Sequence, residues 1–587
     1  VPYQVVEDFR FGMDRRKERA TGVPGTLWTL ENAVINRGGE IERTKKWVPQ
    51  FSLPPDQTFG LATLSDTPYV FGSVASPGVP AGVSYQRLQH PDGVTAMTKI
   101  LSVDRSKGKL YAIAQFADGS IHHYYDGALV RDWDAGRVTS YMVNNAGIAA
   151  HFVTLINATS RRYTATQVGA IIRITGANAN DDFAVATSTE NVPGGNDDQS
   201  LTTAVTQAAS STLPKIVEIT VGGTFEVGDK FSIRLGAADT LEVFGYGGTP
   251  RTPGRIAKTF SAKVYVGGDE LVDFSGVDHP EIWQIDSAVA PGAGFIDPGS
   301  QDSSTVPVTG LEIYENLLAI FGKESIQLWQ VSNDNSSNAI QQILRNTGTT
   351  APKAVKGFGS RDLFYYAQSG VRSLKAREAT SVGYADDIGS AMDEFIQDYG
   401  ATLTAEQRAA ACADIEPRTE RYFMALGDRV FVFSKFPRAG VEAWSYMNVG
   451  VQFTDMVRSF DRLFARSGDT IYVYGGMDGN TYPDDDESVV TVDMPFYAMQ
   501  SPGSWKKLKA IDMAAVGQWD SYILPDPNKT DVLVPFATLL GTTYQNQRVP
   551  IEIDGPVFAF RFVCRIGGLA KLMQFMPVFD RAYDSRG

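Results

Sequence analysis

KLYAIAQFADGSIHHYYDG, residues 109–127, carries the pattern on which the fold turns. Large apolar residues alternate with small or polar ones on either side of Asp118-Gly119, a dipeptide that reads as a two-residue hairpin loop because its positive φ suits the twist of paired strands. The same grammar returns in LEIYENLLAIFGKESIQLWQV (311–331), DLFYYAQSGVRSLKA (362–376), RYFMALGDRVFVFSKF (421–436) and RLFARSGDTIYVYGG (462–476). From Leu317 to Leu363, Tyr422 and Leu463 the step is about 40–60 residues, near one four-stranded propeller blade and less regular than a WD or kelch array. Trp329 and Trp444 fall in these hairpins as packing anchors.

Between 152 and 258 the chain turns rich in Thr, Ser, Ala and Gly, with NVPGGNDDQSLTTAVTQAASSTLP (191–214) its most polar part. The flanks YTATQVGAIIRIT and IVEITVGGTFEVGDKFSIRL are β-branched and alternating, so this stretch reads as a small β-sandwich inserted into the main body. Helices are few: Thr404 and Gln407 fit a capping box, and 390–399 forms another short helix. KKLKAIDMAAVGQW (506–519) and GPVFAFRFVCRI (555–566) return to strands. The expected fold is mainly β: a β-propeller-like body over 61–151 and 259–480, the inserted domain at 152–258, an N-terminal β segment of a platform at 1–60 and a C-terminal β-domain at 481–587.

Composition narrows the function. The 587 residues suffice for several domains. With 53 basic against 67 acidic side chains the net charge of −14 disfavours tight wrapping of nucleic acid, although DNA could slide past such a surface. Cys412 and Cys564, far apart in sequence, offer no disulfide framework and read as buried apolar groups. No signal sequence is visible in VPYQVVEDFRFG, and the longest apolar run, near Ile148–Ile156, is too short to span a bilayer and is broken by His151. A soluble product made in the cytoplasm is expected.

No familiar catalytic template is filled, and neither cofactor nor metal is expected. His90, His122, His123, His151 and His279 lack the spacing of a zinc helix. His122 and His123 are adjacent on a strand and point to opposite faces, one an exposed edge and one a satisfied interior. There is no GxSxG elbow, phosphate loop or GxGxxG after a strand. TYPDDDES (481–488) lacks the alternate spacing of a calcium loop and reads as a solvated loop, with Asp484, Asp485, Asp486 and Glu487 also candidates for a channel-facing loop. A carboxylate pair in a propeller could hydrolyse glycosides, yet neither ADGSIHHY nor SNDNSSNA matches a sialidase turn. RTKKW (43–47), with Arg37 ahead of it, reads as a subunit contact in preference to a DNA contact.

Three stretches, VEDFRFGMDRR (6–16), ENAVINRGGEIERTKKW (31–47) and FSGVDHPEIW through GAGFID (274–297), resemble the tail nozzle proteins of podoviruses, also called tail tubular B-like or tail stabilisation proteins. The matching positions are Phe11, Gly12, Asn32, Val34, Ile35, Gly38, Gly39, Arg43 and Trp47, with Gly38-Gly39 read as a two-residue turn, and then Phe274, Ser275, Pro280, Trp283 and Trp329. Gly348-Thr349 and SGVRSL (369–374) extend the match. The family's Arg-Pro-Gly after the hairpin is replaced here by Arg43-Thr44-Lys45-Lys46, and the insertion has no counterpart pattern.

The resemblance implies a virion protein of a phage tail, without enzymatic activity. It implies a hexameric ring below portal and adaptor, with tail fibre, spike or needle proteins as neighbours, through which double-stranded DNA passes on ejection. The competing expectations are a head-closure plug that stabilises packaged DNA and a propeller adhesin or glycan hydrolase.

Overall fold

The computed structural model describes residues 3–90, 93–130, 144–159, 163–191, 198–224, 229–236, 240–244, 254–283, 292–359, 362–379, 387–499, 504–544 and 548–581. The chain is mainly β and its centre is a propeller. Seven groups of strands follow one another about an axis, the innermost strand of each beside that of the next. These innermost strands are Phe59–Leu64, Met97–Ser106, Ile256–Phe260, Gly310–Tyr314, Lys356–Phe358, Cys412–Glu416 and Asp455–Ser459, and the last again lies beside the first. We number the blades one to seven in that order.

Closure of the ring joins distant parts of the chain. Blade seven has Asp455–Ser459, Arg462–Ser467 and Thr470–Tyr474 from one segment, and its outermost strand is Trp47–Ser52, antiparallel to Thr470–Tyr474. This corrects the sequence boundary at residue 60, because the strand's aromatic side belongs to the propeller: Trp47 packs on Phe453 and Tyr474, with ring centroids 4.9 and 5.2 Å away. Blades two to four hold four strands and blade five three; blade one ends in a strand, Ser84–Arg87, that runs parallel to its neighbour.

Blade six does not stop at four strands. Beyond Val441–Asn448 the sheet continues through Thr29–Glu31, Val490–Asp493, Ala559–Cys564, Trp519–Leu524 and Val534–Leu539, making nine strands. A second sheet, of Ala33–Ile35, Ile41–Arg43, Lys571–Arg581, Lys506–Val516 and Val549–Gly555, faces the outer part of this one. Both contribute to a single apolar core, from Leu30 and Phe431 to Phe562 and Phe575.

Asn32 lets one segment serve both sheets. It adopts φ +56°, a left-handed turn that Asn tolerates better than most residues. Its side chain donates to the Val489 carbonyl (2.9 Å) and accepts from the Asn448 amide (2.9 Å). The next hairpin differs from the expected two-residue turn: Asn36 pairs with Glu40 around a three-residue loop, Arg37 to Gly39. The Asn36 side chain accepts the Gly38 amide, which sets an ordinary turn first and leaves Gly39 alone at positive φ. Asp118-Gly119 behaves alike, with Phe116 paired to Ser120 and Gly119 left-handed.

The insertion is a small two-sheet domain with one element that periodicity did not show. Sheets of four strands and three strands enclose its core together with a helix, Asn145–Thr159, so the domain begins ahead of residue 152. Ile148, Phe152 and Ile156, the apolar run weighed as a membrane segment, are buried against Ile172, Ile219 and Phe231. Part of the polar stretch forms the strand Ser200–Gln207; residues 192–197 lie outside the described residues. The domain is inserted into the connection from blade two to blade three.

His123 seals the return from this insertion. It is buried, accepts from the Tyr111 hydroxyl at Nδ1 (2.9 Å) and donates from Nε2 to the Gly254 carbonyl (3.1 Å). His122 is half-buried and meets the His90 and Phe116 rings at 4.9 and 5.6 Å, which corrects its expected place on an exposed edge. Burial drives the His123 pKa down from 6.5 to about 3, against the pull of the Gly254 carbonyl. Between those values the unfolded chain takes up a proton that the folded chain refuses, so stability falls as pH drops through the window. His123→Leu removes this pH dependence. Its stability deficit against the parent, measured by urea unfolding, should narrow as pH falls from 6.5 towards 4; a deficit that stays constant would contradict the assignment.

Candidate functional site

The innermost strands of blades two to six place a charged residue at one repeated position, three residues ahead of the turn into the second strand: Asp104, Lys258, Glu312, Lys356 and Asp414. In blade seven Arg458, one residue later, continues the alternation of sign, and in blade one Thr63 takes the matching place. Because alternate side chains of an innermost strand face the axis or its flanks, this phase gathers the charges at the centre.

The contacts run across the seams between blades. Asp104 accepts the backbone amide of Thr259, Lys258 pairs with Glu312 at 2.5 Å, Lys356 with Asp414 at 3.7 Å, and Arg458 with the same Asp414 at 3.8 Å. Thr63 donates to the Arg458 carbonyl (3.0 Å) and its own carbonyl accepts from Arg105 (2.6 Å), which carries the contacts from blade seven through blade one to blade two. Burial presses the Lys258 ammonium towards neutrality, and Glu312, Asp104 and, from across the axis, Asp414 outweigh it, so its pKa stands above the ordinary lysine value. Paired charges thus tie the innermost strands across three of the seams around the axis. Such an arrangement fixes blade against blade; each lone pair is worth little at a surface, and a partly buried ring gains from mutual support.

Elsewhere the residues singled out in the sequence hold the frame. Gly12 lies at φ +57° against blade six, where a Cβ would come within 2.7 Å of the Trp444 carbonyl oxygen. Phe11 beside it is exposed. A Cβ on Gly39 would come within 2.9 Å of the Asp8 carboxylate, and Gly38 spans the loop before it. Phe274 is buried beside Tyr265, and the Ser275 hydroxyl accepts the Val264 amide (3.0 Å). The Pro280 carbonyl accepts from the Trp283 indole (2.9 Å), which packs between blades two and three with Tyr111. Trp329 donates to Gln327 (2.8 Å) in the core between blades three and four.

RTKKW is an internal clasp, which corrects its reading as a subunit or DNA contact. The Arg43 guanidinium is buried against the carbonyls of Ile566 and Ser488, Lys45 reaches the Gly479 carbonyl, and Lys46 pairs with Glu487 (2.5 Å) and Asp484 (3.5 Å). Asp485 accepts the Gly567 amide (2.6 Å) and Asp486 lies 3.8 Å from Arg565. The acidic loop therefore fastens blade seven to the terminal body. It leaves the third strand of its blade, away from the propeller axis.

A groove of about 960 Å³ between blades five and six contains Ser373 and Asp362, whose oxygens are 2.7 Å apart. This is a helix cap: the Ser373 hydroxyl also accepts the Ala376 amide, at the start of the helix Leu374–Ala379, while Asp362 accepts the amides of Leu363 and Lys375. No histidine is among the described residues that line it. Burial pushes the Asp387 carboxyl at its edge above the usual aspartate range, against the Ser373 amide and the guanidinium of Arg372. Among the described residues no three His, Cys, Asp or Glu side chains converge to hold a metal ion, and no helix is long and apolar enough to cross a membrane.

The axial ring makes a testable demand. Lys258→Met leaves Glu312 and Asp104 half-buried without their cation and should cost about 2–3 kcal/mol in urea unfolding, while Lys258→Met with Glu312→Leu should recover most of it. Equal stability of Lys258→Met and the parent would contradict the ring.

No protein-family model and no curated protein matches the chain. Among solved structures it is similar to BamB from Moraxella catarrhalis, at 10% identity over 74% of this chain and 98% of that one, with a TM-score of 0.32. It is also similar to the Neurospora crassa Pan2 WD40 domain, at 9% identity over 52% and 86% of the two chains and a TM-score of 0.25. The AfRom2 CNH domain aligns at 11% identity over 47% and 86%, with a TM-score of 0.25.

Proposed function

We propose that this chain is a structural subunit of a short-tailed phage tail, a nozzle-type component that joins further copies in a ring around the path of the ejected genome. The observation that carries the reading is the nine-stranded sheet, which runs from the innermost strand of blade six outward into the terminal body and joins the two through one hydrogen-bonded sheet. A conduit that must withstand passage of DNA needs such a building block. The resemblance over 6–47 and 274–297 falls on residues that hold this frame, above all Gly12 and Asn32.

The axial charges bear on where DNA would pass. Lys258 with Glu312 and Arg458 with Asp414 pair across seams around the propeller's own axis, which favours the lumen between subunits over that axis as the genome's path. Copies that each carry −14 give the ring a net charge of the same sign as the phosphate backbone, which limits adhesion. Neighbours along the tail would be the portal or adaptor above and fibre, spike or needle proteins below.

A reconstruction of the virion tests this. The chain should occupy a ring of about six copies on the tail axis, since a closed conduit uses head-to-tail contacts. A dimeric or off-axis position, or a lumen lined mainly by lysine and arginine, would overturn it.

A further inference from the structure

A ring built head to tail needs two different surfaces on each copy, and two outermost strands meet the requirement. One is Val534–Leu539, the end of the nine-stranded sheet, hydrogen-bonded to Trp519–Leu524 on one side. It lies in Val532–Tyr544, which has no charged residue, and Val532, Leu540 and Tyr544 are exposed, Leu540 at 80%. Exposed Val516 and Leu569 border the same corner: Gly541 is nearest the Ala515 carbonyl, and Gly517 lies against Ala570 and Leu569.

The other is Ser200–Gln207, the end of the insertion's four-stranded sheet, paired with Ile216–Gly222 on one side. From Gln199 to Pro214 it too has no charge, and residues 202–206 are exposed. The strand Val185–Glu190 runs beside this edge, and Thr187 donates to the Leu201 carbonyl (3.4 Å). Among the described residues no further strand is paired with either outer edge.

Free strand edges attract strands, and proteins ordinarily guard them with charge. Pro535 and a bulge at Phe536 interrupt the first edge and a bulge at Thr206 the second, while neither edge carries a charge. Between copies of −14 each, uncharged edges are where repulsion opposes contact least. The two belong to different parts of the subunit, one to the sheet that continues blade six and the other to the domain inserted between blades two and three in the chain.

We propose that successive copies join by strand addition, the Val534–Leu539 edge of one pairing with the Ser200–Gln207 edge of the next. This rests on the ring reading above and gives the insertion its role. Thr538 and Ala204 are exposed, while the native Cys412 and Cys564 are buried and free. Full-length Thr538→Cys and Ala204→Cys chains would be purified separately, dissociated to monomers, mixed and then assembled, alone and together, before treatment with a short bis-maleimide, and the same samples sedimented. Covalent dimers should form in the mixture and in neither variant alone. Dimers from Thr538→Cys alone would overturn the proposal in favour of a two-fold edge contact. No dimers in any sample would also overturn it, and sedimentation separates the cases: rings that persist discard this contact alone, whereas monomers throughout discard the ring reading as well.

Discussion

The antiparallel pairing of Trp47–Ser52 with Thr470–Tyr474 is the constraint on which the molecule depends. Within twenty-four residues, 29 to 52, the chain enters the nine-stranded sheet, crosses to the facing sheet for a hairpin, and closes the propeller. Each step is pinned by a buried polar group: Asn32 at the crossing, Thr44 on the Asn32 carbonyl (3.0 Å), and Arg43 on carbonyls of the terminal body. A propeller closed by one end of its chain cannot open a seam without breaking that ladder, and the same segment ties it to the terminal sheets. Rigidity of the whole follows from local hydrogen bonding in a short stretch.

Charge inside this protein works as mortar. Arg466 donates to the carbonyls of Thr58 and Gly60 across the seam between blades seven and one, Arg372 lies 2.7 Å from Asp393, and Arg561 grips Asp493 through both oxygens. Buried cations that lack such partners would cost several kcal/mol each, so these contacts specify one packing of blades and terminal body. The same logic accounts for groups that imitate chemistry, such as the Ser373–Asp362 cap. Polar residues converge where elements must be fixed in register.

Much of this was legible in the sequence, for physical reasons. A hairpin is local, so alternation and turn residues near 109–127, 311–331 and 421–436 mark the blades, and the box at Thr404 and Gln407 forms as read. What escaped was long range. The bond from the Asn448 amide to Asn32 spans 416 residues and leaves no periodic trace. The helix Asn145–Thr159 is apolar on most sides, because both sheets of a small domain cover it, and so has no clear helical stripe. The axial charges did leave a signal, the shared phase of Lys258, Glu312, Lys356 and Asp414 before their turns, visible once the blades are aligned by turn and not by residue count. RTKKW misled because a run of cations reads as surface, whereas backbone carbonyls can hold them inside.

If one segment welds propeller and terminal body together, they must open together. Native-state hydrogen exchange resolved by mass spectrometry tests this directly, since cooperative units exchange with a common free energy. The account requires the slowest amides of Trp47–Ser52, Thr470–Tyr474, Val490–Asp493 and Ala559–Cys564 to exchange through one opening of the same free energy. A propeller whose slowest amides exchange at a lower free energy than those of the terminal sheets would contradict it.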